Sequence, residues 1–411
     1  MREMKDSGID WIGKIPKSWK VSTIKREYSF QTGWTPSTDK DDYFDGGNIW
    51  ANISDLKQKT IFESQKHISD EAVQVSSMNI SPKGSLMYAF KLSVGAVSFC
   101  GCDMYTNEAI ATFLPGKNSL DYLYYLAPLA IIKNANENIY GAKLLNQQLI
   151  RNAKIILPPV DEQHQIAKYL DENCAKIDAV IARQQEAIEK LKAYKLSVIT
   201  DAVAPKKEWA KGHLGYLATF KNGLNYNGVS TDAEIKFLGV GDFQHHFRLD
   251  NADMFSTLKF NGEMPEDLLL QNGDIVFVRS NGSKELVGRS VLIDNVDYPL
   301  TYSGFCIRMR NLRQDIAMNE FLLYCFWSHD FRQNLNRDSR GSNINNLNQE
   351  LLSKLEVALP SLKIQREIVQ YLDQKCVSIE NAIRKKRRIV EKLHEYKKSL
   401  IYEVVTGKRE V

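Results

Sequence analysis

The 411-residue sequence has no long apolar run. Nothing in it approaches the roughly 20 consecutive apolar residues that cross a bilayer, and residues 1–19 lack the apolar core of a signal peptide. A membrane or exported protein is therefore not expected. Cysteine is sparse: Cys100, Cys102, Cys174, Cys306, Cys325 and Cys376 are scattered, no CxxC pair occurs, and Cys-Gly-Cys at 100–102 is too tight for a zinc clip. That pattern predicts a reduced, cytoplasmic protein without structural metal. Catalytic signatures are missing as well. Gly116-Lys117-Asn118-Ser119 has neither the first glycine nor the spacing of a phosphate-cradling loop, and there is no HExxH, GxSxG or GxGxxG. The seven histidines are dispersed apart from His245-His246, which reads as surface loop before metal pair. The expectation is a chain with no catalytic centre and no metal of its own. A net charge of +4 permits nucleic-acid binding without arguing for it, because a local patch matters more than the total.

What the sequence does have is a repeat. Residues 157–199 return 202 positions later as residues 359–401, without a gap and with 17 of 43 positions identical, among them Gln163/Gln365, Asp171/Asp373, Cys174/Cys376 and Tyr194/Tyr396. So long a period excludes a solenoid and describes a duplicated unit, a globular domain followed by a long helix. In the first copy apolar residues recur at Ile166, Tyr169, Leu170, Cys174, Ile177, Ile181, Ile188, Leu191, Tyr194 and Val198. In the second they recur at Ile368, Tyr371, Leu372, Cys376, Ile379, Ile383, Val390, Leu393 and Leu400. Spacings of three and four draw one stripe along each helix. A Pro pair and Asp161-Glu162 suit the positive end of the first, and no Gly or Pro interrupts it until Pro205. Forty residues make a rod of about 60 Å. Asp161–Asp201 carries six basic and eight acidic residues, and Lys363–Leu400 eleven basic and five acidic. Opposite net charge beside an apolar seam predicts that the helices pack on each other. Burial of each helix in its own domain is the other reading.

The duplication reaches into the globular parts. Trp19, Ile24, Phe30 and Gly33 reappear as Trp209, Leu214, Phe220 and Gly223 at identical spacing. The strand-like run before Asp55 pairs with that before Asp242, and the Gly84 turn with the Gly273 turn. Apolar helical segments, 120–132 and 319–335, close each domain. The boundaries read as a polar arm at 1–18 anchored by Trp11-Ile12 and Ile15-Pro16, a mixed α/β domain at 19–156, a helix at 157–204, a second mixed domain at 205–358 and a last helix at 359–411. Outside these landmarks the two domains diverge, which suggests one scaffold with two heads that recognise different things.

Several polar loops carry groups suited to a DNA groove. Arg279, Ser280, Asn281, Ser283 and Lys284 form one after a β run. Arg is bidentate to guanine, Asn to adenine, and Ser and Lys hold phosphate. The corresponding place in the first domain holds Lys91 and Ser93. Thr35, Ser37 and Lys40 follow the first strand of one domain, and Asn225, Tyr226 and Asn227 that of the other, with His245 and Arg248 further on. The basic run Arg384–Arg388 lies on a helix and reads as a solvated or pairing face.

The whole chain resembles the specificity subunit of a type I restriction–modification system. The resemblance rests on the opening Lys5-Asp-Ser-Gly-Ile-Asp-Trp-Ile-Gly-Lys-Ile-Pro-Lys-Ser-Trp19, on Leu157-Pro-Pro-x-x-Glu162-Gln-x-x-Ile166 with its second copy Leu359-Pro-x-x-x-x-Gln365-x-x-Ile368, and on the ending Val405-Thr-Gly-Lys408. Ile364 departs from the first copy, where Glu162 stands, and the difference is expected to bear on helix capping. The family implies two target-recognition domains, each reading half of a bipartite duplex target, separated by two antiparallel coiled-coil helices that set the gap. It implies two modification subunits supplying S-adenosylmethionine and flipped-base methylation. Restriction subunits with an ATP- and Mg-dependent motor would join that core. The chain itself would hold no cofactor, although the complex is an endonuclease and an adenine methyltransferase. A coiled-coil scaffold whose heads bind proteins is the competing class.

Overall fold

Both long helices form where the periodicity places them, as Val160–Val203 and Leu362–Val405. The computed structural model describes residues 2–137, 141, 143–225, 233–243, 246–260, 264–283, 286–338 and 347–411. Two compact units result, Met1–Arg183 with Ile389–Val411, and Gln184–Arg388, so that each helix contributes to both.

In the first unit the strands β1 (Phe30–Thr32), β2 (Thr60–Ile61), β3 (Leu86–Ala89), β4 (Val97–Cys100) and β5 (Ile110–Phe113) make a sheet of order β1-β5-β3-β4-β2. Both neighbours of β5 run antiparallel to it, β3 and β4 form a hairpin, and β2 joins β4 in parallel. In the second unit β6 (Ala218–Asn222), β7 (Arg248–Leu249), β8 (Ile275–Val278), β9 (Ser290–Ile293) and β10 (Cys306–Asn311) repeat this order as β6-β10-β8-β9-β7, with the same directions. A three-stranded sheet is repeated too. Asn48–Ala51 lies between Tyr105–Thr106 (parallel) and His67–Ile68 (antiparallel), as Ala233–Leu238 lies between Leu300–Tyr302 and Ser256–Phe260. The fold is mixed α/β with an internal repeat, as expected.

The alternation of strand side chains divides each core in the same way. Leu86 and Tyr88 point into the cluster that includes the long helix, while Met87 and Ala89 fill a second cluster on the other face. Ile275 and Phe277 take the first role in the second unit, and Val276 and Val278 the second. Repeated landmarks acquire reasons. A Cβ at Gly33 would sit 1.7 Å from the Thr106 carbonyl oxygen, and one at Gly223 2.3 Å from that of Ser303, so the chain passes there only as glycine. Gly84 and Gly273 turn with φ of +83° and +91°, which glycine adopts without a Cβ penalty. Asp55 and Asp242 close their turns by accepting from the backbone N–H three residues back, Asn52 at 2.9 Å and Gly239 at 2.7 Å.

The helices α1 (Leu120–Ala130), α2 (Val160–Val203), α3 (Asn319–Trp327), α4 (His329–Asp338) and α5 (Leu362–Val405) complete the units. The segment read as one helix over 319–335 is two. Ser328 breaks it, its hydroxyl donating to Cys325 O at 2.6 Å and accepting from Phe331 N–H at 3.3 Å. In the first unit Ile166, Leu170, Cys174, Ile177 and Ile181 of α2 pack with Leu400 and Val404 of α5, flanked by half-buried Val390 and Leu393. In the second, Ile188 meets Ile379 and Ile383 with Leu191 at the edge, and Val198 and Ile199 join Leu372, Cys376 and half-buried Ile368. The start of each helix therefore meets the end of the other, antiparallel within each unit. Tyr194 and Tyr371, counted in the stripes, are instead 54 % and 47 % exposed. The same cross-helix pair occurs twice, Lys397 with Asp178 at 2.7 Å and Lys195 with Glu380 at 2.8 Å.

Gln163 and Gln365 explain their own repetition. Both are fully buried. Gln163 accepts from Ser119 N–H (2.9 Å) and donates to Pro158 O (3.0 Å) and Asn118 Oδ1 (3.2 Å). Gln365 accepts from Met318 N–H (2.8 Å) and donates to Ile316 O (2.7 Å) and Pro360 O (2.8 Å). Each amide ties the first turn of a long helix to the segment entering α1 or α3.

Two expectations need correction. The arm at 1–18 is not simply polar: Met4–Asp6 pairs with Lys14–Pro16, and Ile9, Ile12 and Ile15 are buried in the core of the first unit. Tyr402 donates to Trp11 O at 2.9 Å, so the arm closes on the end of α5. Glu162 is also more than a capping residue. It accepts from the Trp19 indole at 3.1 Å and pairs with Arg2, bonds that Ile364 cannot make.

Candidate nucleic-acid interface

Strand direction gathers three loops at one end of each five-stranded sheet. Because β1 and β3 are antiparallel to β5, the end of β1, the β3–β4 turn and the start of β5 share one edge. The same holds for β6, β8, β9 and β10. This edge receives most of the predicted contact residues.

In the first unit Glu108, just before β5, accepts from the Thr35 hydroxyl and lies 3.8 Å from Lys91 Nζ. It thereby joins the loop after β1 to the β3–β4 turn. Ser93 is exposed in that turn, beside Leu92, which has φ of +57° and is 93 % exposed. Ser37 is exposed. Lys40 lies outside these contacts: its ammonium donates to Tyr43 OH at 3.0 Å and sits 4.7 Å from that ring's centroid. That hydrogen bond and the neighbouring Asp42 and Glu71 raise its pKa. The segment around it, Asp39-Lys-Asp-Asp, is acidic, which disfavours phosphate.

In the second unit Arg279 N–H donates to Phe305 O at 2.7 Å and its guanidinium to Gly304 O at 3.4 Å, while its Nε is buried with no hydrogen-bond partner among the described residues. Asn225 lies against the same Gly304. Ser280 donates its N–H to Phe305 O at 3.3 Å, Asn281 Oδ1 accepts from Ser283 N–H at 2.9 Å, and Phe305 is 62 % exposed. Thus Asn225, Arg279, Ser280, Asn281 and Ser283 share one edge. Tyr226, Asn227, His245 and Lys284 lie outside the described residues. Residue type gives no sign of Glu108 or Phe305, since only strand register brings them to the edge, and Leu92 lies there between Lys91 and Ser93.

Arg248 belongs elsewhere. It reaches Asp373 of α5 at 3.4 Å, and Tyr324 donates to the same carboxylate at 2.6 Å. The first unit repeats this junction with Lys59 and Tyr125, each 2.5 Å from Asp171 of α2. Burial first and the carboxylate second push both tyrosine pKa values well above the ordinary range, so each hydroxyl stays protonated and donates. Burial likewise raises the Cys174 and Cys376 thiols beside these junctions, which makes them poor nucleophiles. The identity of Asp171 and Asp373 was the available signal for this constellation. No cluster of His, Cys, Asp and Glu able to hold a metal occurs among the described residues. Among these residues no helix is long and apolar enough to cross a membrane.

Comparison with known proteins agrees with this architecture. The family model described as type I restriction modification DNA specificity domain matches residues 16–190 and again 206–390. The type I restriction enzyme StySPI specificity subunit of Salmonella potsdam is 28 % identical over 405 residues, covering 88 % of this chain and 83 % of that relative. The MjaVIII specificity subunit of Methanocaldococcus jannaschii is 23 % identical, covering 96 % and 94 %. Among solved structures, a chain from a study of complex assembly and conformational transition of the type I R-M system superposes with a TM-score of 0.73 at 15 % identity, over 96 % of this chain and 99 % of that one. The HsdS subunit from Thermoanaerobacter tengcongensis gives 0.51 at 15 % identity, over 96 % and 98 %.

Proposed function

The chain belongs to the type I restriction–modification DNA specificity family and is the DNA sequence-recognition subunit of such a system, and from that premise we propose how the work is divided within it. Each head reads one half of a bipartite duplex target through the loop edge of its five-stranded sheet. The observation that carries this reading is the contrast at that edge: identical strand order in the two units, but Thr35, Lys91 and Glu108 in one and Asn225, Arg279 and Gly304 in the other. Equal scaffolds with unequal contact chemistry suit two different half-sites. The paired helices set the gap between halves and dock two modification subunits, which supply S-adenosylmethionine. Restriction subunits using ATP and Mg join them in the cytoplasm, and this chain contributes no catalysis of its own. A protein-binding scaffold is not favoured by any of these observations.

Selection from a random duplex library, with the chain co-expressed beside its modification partner, tests the reading. Two unrelated short motifs at a fixed gap are expected, with affinity falling steeply as salt rises. Enrichment of nothing, with salt-insensitive binding, would overturn it.

A further inference from the structure

A cavity lies against the long helices at the equivalent place in each unit, about 380 Å³ in the first with Lys397, Lys398, Asp178 and Pro128 in its lining, but the lining changes in the second. The cavity of the second unit measures about 290 Å³ and, among the described residues, is lined by Lys192, Lys195, Arg289, Arg332 and Arg387 and by one carboxylate, Glu380, with Trp327 as one wall. This lies near the lower end of small-ligand site volumes. The indole N–H of Trp327 is spent on Ser290 O at 2.9 Å, and Lys195 Nζ lies 5.6 Å from its ring centroid. Burial first, and the charge of Arg289 second, hold the Arg332 guanidinium below its ordinary pKa. Of the five cations Lys195, Arg289 and Arg332 are half-buried, while Lys192 and Arg387 face solvent.

The repeat separates scaffold from addition. Lys195–Glu380 has its equivalent in Lys397–Asp178, so that pair serves helix packing in both units. The guanidiniums do not recur. Strand register places Ala96 opposite Arg289, the 202-residue offset places Gln185 opposite Arg387, and the Tyr125/Tyr324 equivalence places Pro128 opposite Trp327. The first unit builds its equivalent cavity without arginines in the lining.

We propose that this cavity is a binding site for a free nucleotide, a flat base resting on Trp327 and its phosphates held by Arg289, Arg332 and Arg387. Guanidinium forks match phosphate oxygens, and an indole face takes a base. The site stands on this chain's own side chains and does not depend on which DNA sequence the heads read.

The test is calorimetric titration of the full chain with ADP, with adenosine, inorganic phosphate and a short duplex as separate probes. ADP is expected to bind one to one, more tightly than adenosine or phosphate. Arg387→Ala, on an exposed helix face, should weaken ADP by about tenfold or more. Arg289→Ala should do likewise, Glu380→Gln should tighten ADP, and Gln185→Ala should leave it unchanged. Thermal melts of each variant without ligand separate loss of binding from loss of fold. Absence of ADP binding at millimolar concentration, or binding indifferent to both arginine variants, would overturn the proposal. So would an Arg387→Ala effect confined to duplex binding, which would assign the cavity to the DNA backbone.

Discussion

The two units share strand order, hydrogen-bonded turns and helix anchors, yet hold their heads to the helices with different strengths of contact. In the first unit Asp171 takes Lys59 and Tyr125 at 2.5 Å each. In the second Asp373 takes Tyr324 at 2.6 Å but Arg248 only at 3.4 Å, and Arg248 also approaches Asp294 at 4.0 Å. Glu162 binds Trp19 and Arg2, while Ile364 offers no acceptor. The polar edges differ as well. What stays constant is what a common scaffold needs, namely buried amides, glycines without room for a Cβ and the seam. What varies lies where side chains face solvent or one another across a junction.

The largest test of this equivalence is removal of the buried amides. Gln365→Ala should destabilise the second unit by about 3 kcal/mol, because Met318 N–H and two carbonyls lose their partner without water to replace it. Gln163→Ala should cost less. One of its three partners is a side chain, Asn118, whose Nδ2 keeps its bonds to Glu27 O and Oε2 when Gln163 is gone. Denaturant unfolding with hydrogen exchange resolved by unit distinguishes the two, and equal losses would break the argued asymmetry.

Next comes Arg279→Ala. A bidentate base contact is worth about 1–3 kcal/mol, so affinity should fall roughly ten- to a hundredfold at the half-site read by the second head, with relaxed discrimination there. The other half-site should be unchanged. Loss at both halves would break the assignment of one head to one half.

Much of this was legible in advance because repetition and periodicity are local signals. Both helices, their stripes apart from Tyr194 and Tyr371, and the Asp55 and Asp242 turns can be read from spacing alone. The loop edge was legible only in its composition. Glu108 and Phe305 reach it through antiparallel register, which pairs residues far apart in the chain, and Arg248 left it because Asp373 offered a charge partner. In the arm at 1–18 the anchors Ile12 and Ile15 were legible, whereas Ile9 joins them in the core only because the arm folds back on itself and closes against the end of α5. Ser328 divides the apolar run 321–327 from the amphipathic segment 329–338, a break that carries no glycine or proline.

A smaller effect is expected at the junctions. Asp171→Asn should weaken head–helix attachment by about 1 kcal/mol, since both carboxylates are partly exposed and screened. Asp373→Asn should cost less because Arg248 stands farther off. Raising the salt concentration should narrow the difference, as thermal melts can show. If Asp373→Asn proves the costlier change, the longer ion pair is not the weaker lock.

The smallest effect probes the departure at Ile364. Trp209 is as buried as Trp19 is in its own unit, at 5 % and 1 % exposure, and its backbone makes the same turn, donating to Lys206 O as Trp19 does to Pro16 O. Ile364 is 38 % exposed in the first turn of α5, so replacing it forfeits little apolar burial. A carboxylate there meets the positive end of the helix dipole, worth about 0.3–1 kcal/mol, and comes within the register from which Glu162 reaches the Trp19 indole. Ile364→Glu is therefore expected to stabilise the second unit by up to about 1 kcal/mol. Glu162→Ile should destabilise the first by more, because it strands the Trp19 indole N–H and leaves the Arg2 guanidinium with Glu410 alone. Opposite signs in denaturant midpoints would show that the second unit accepts the first unit's carboxylate while the first does not accept the second's isoleucine. A loss from Ile364→Glu would mean that the units differ in helix entry as well as in their reading edges, and that the second copy was reshaped around its isoleucine.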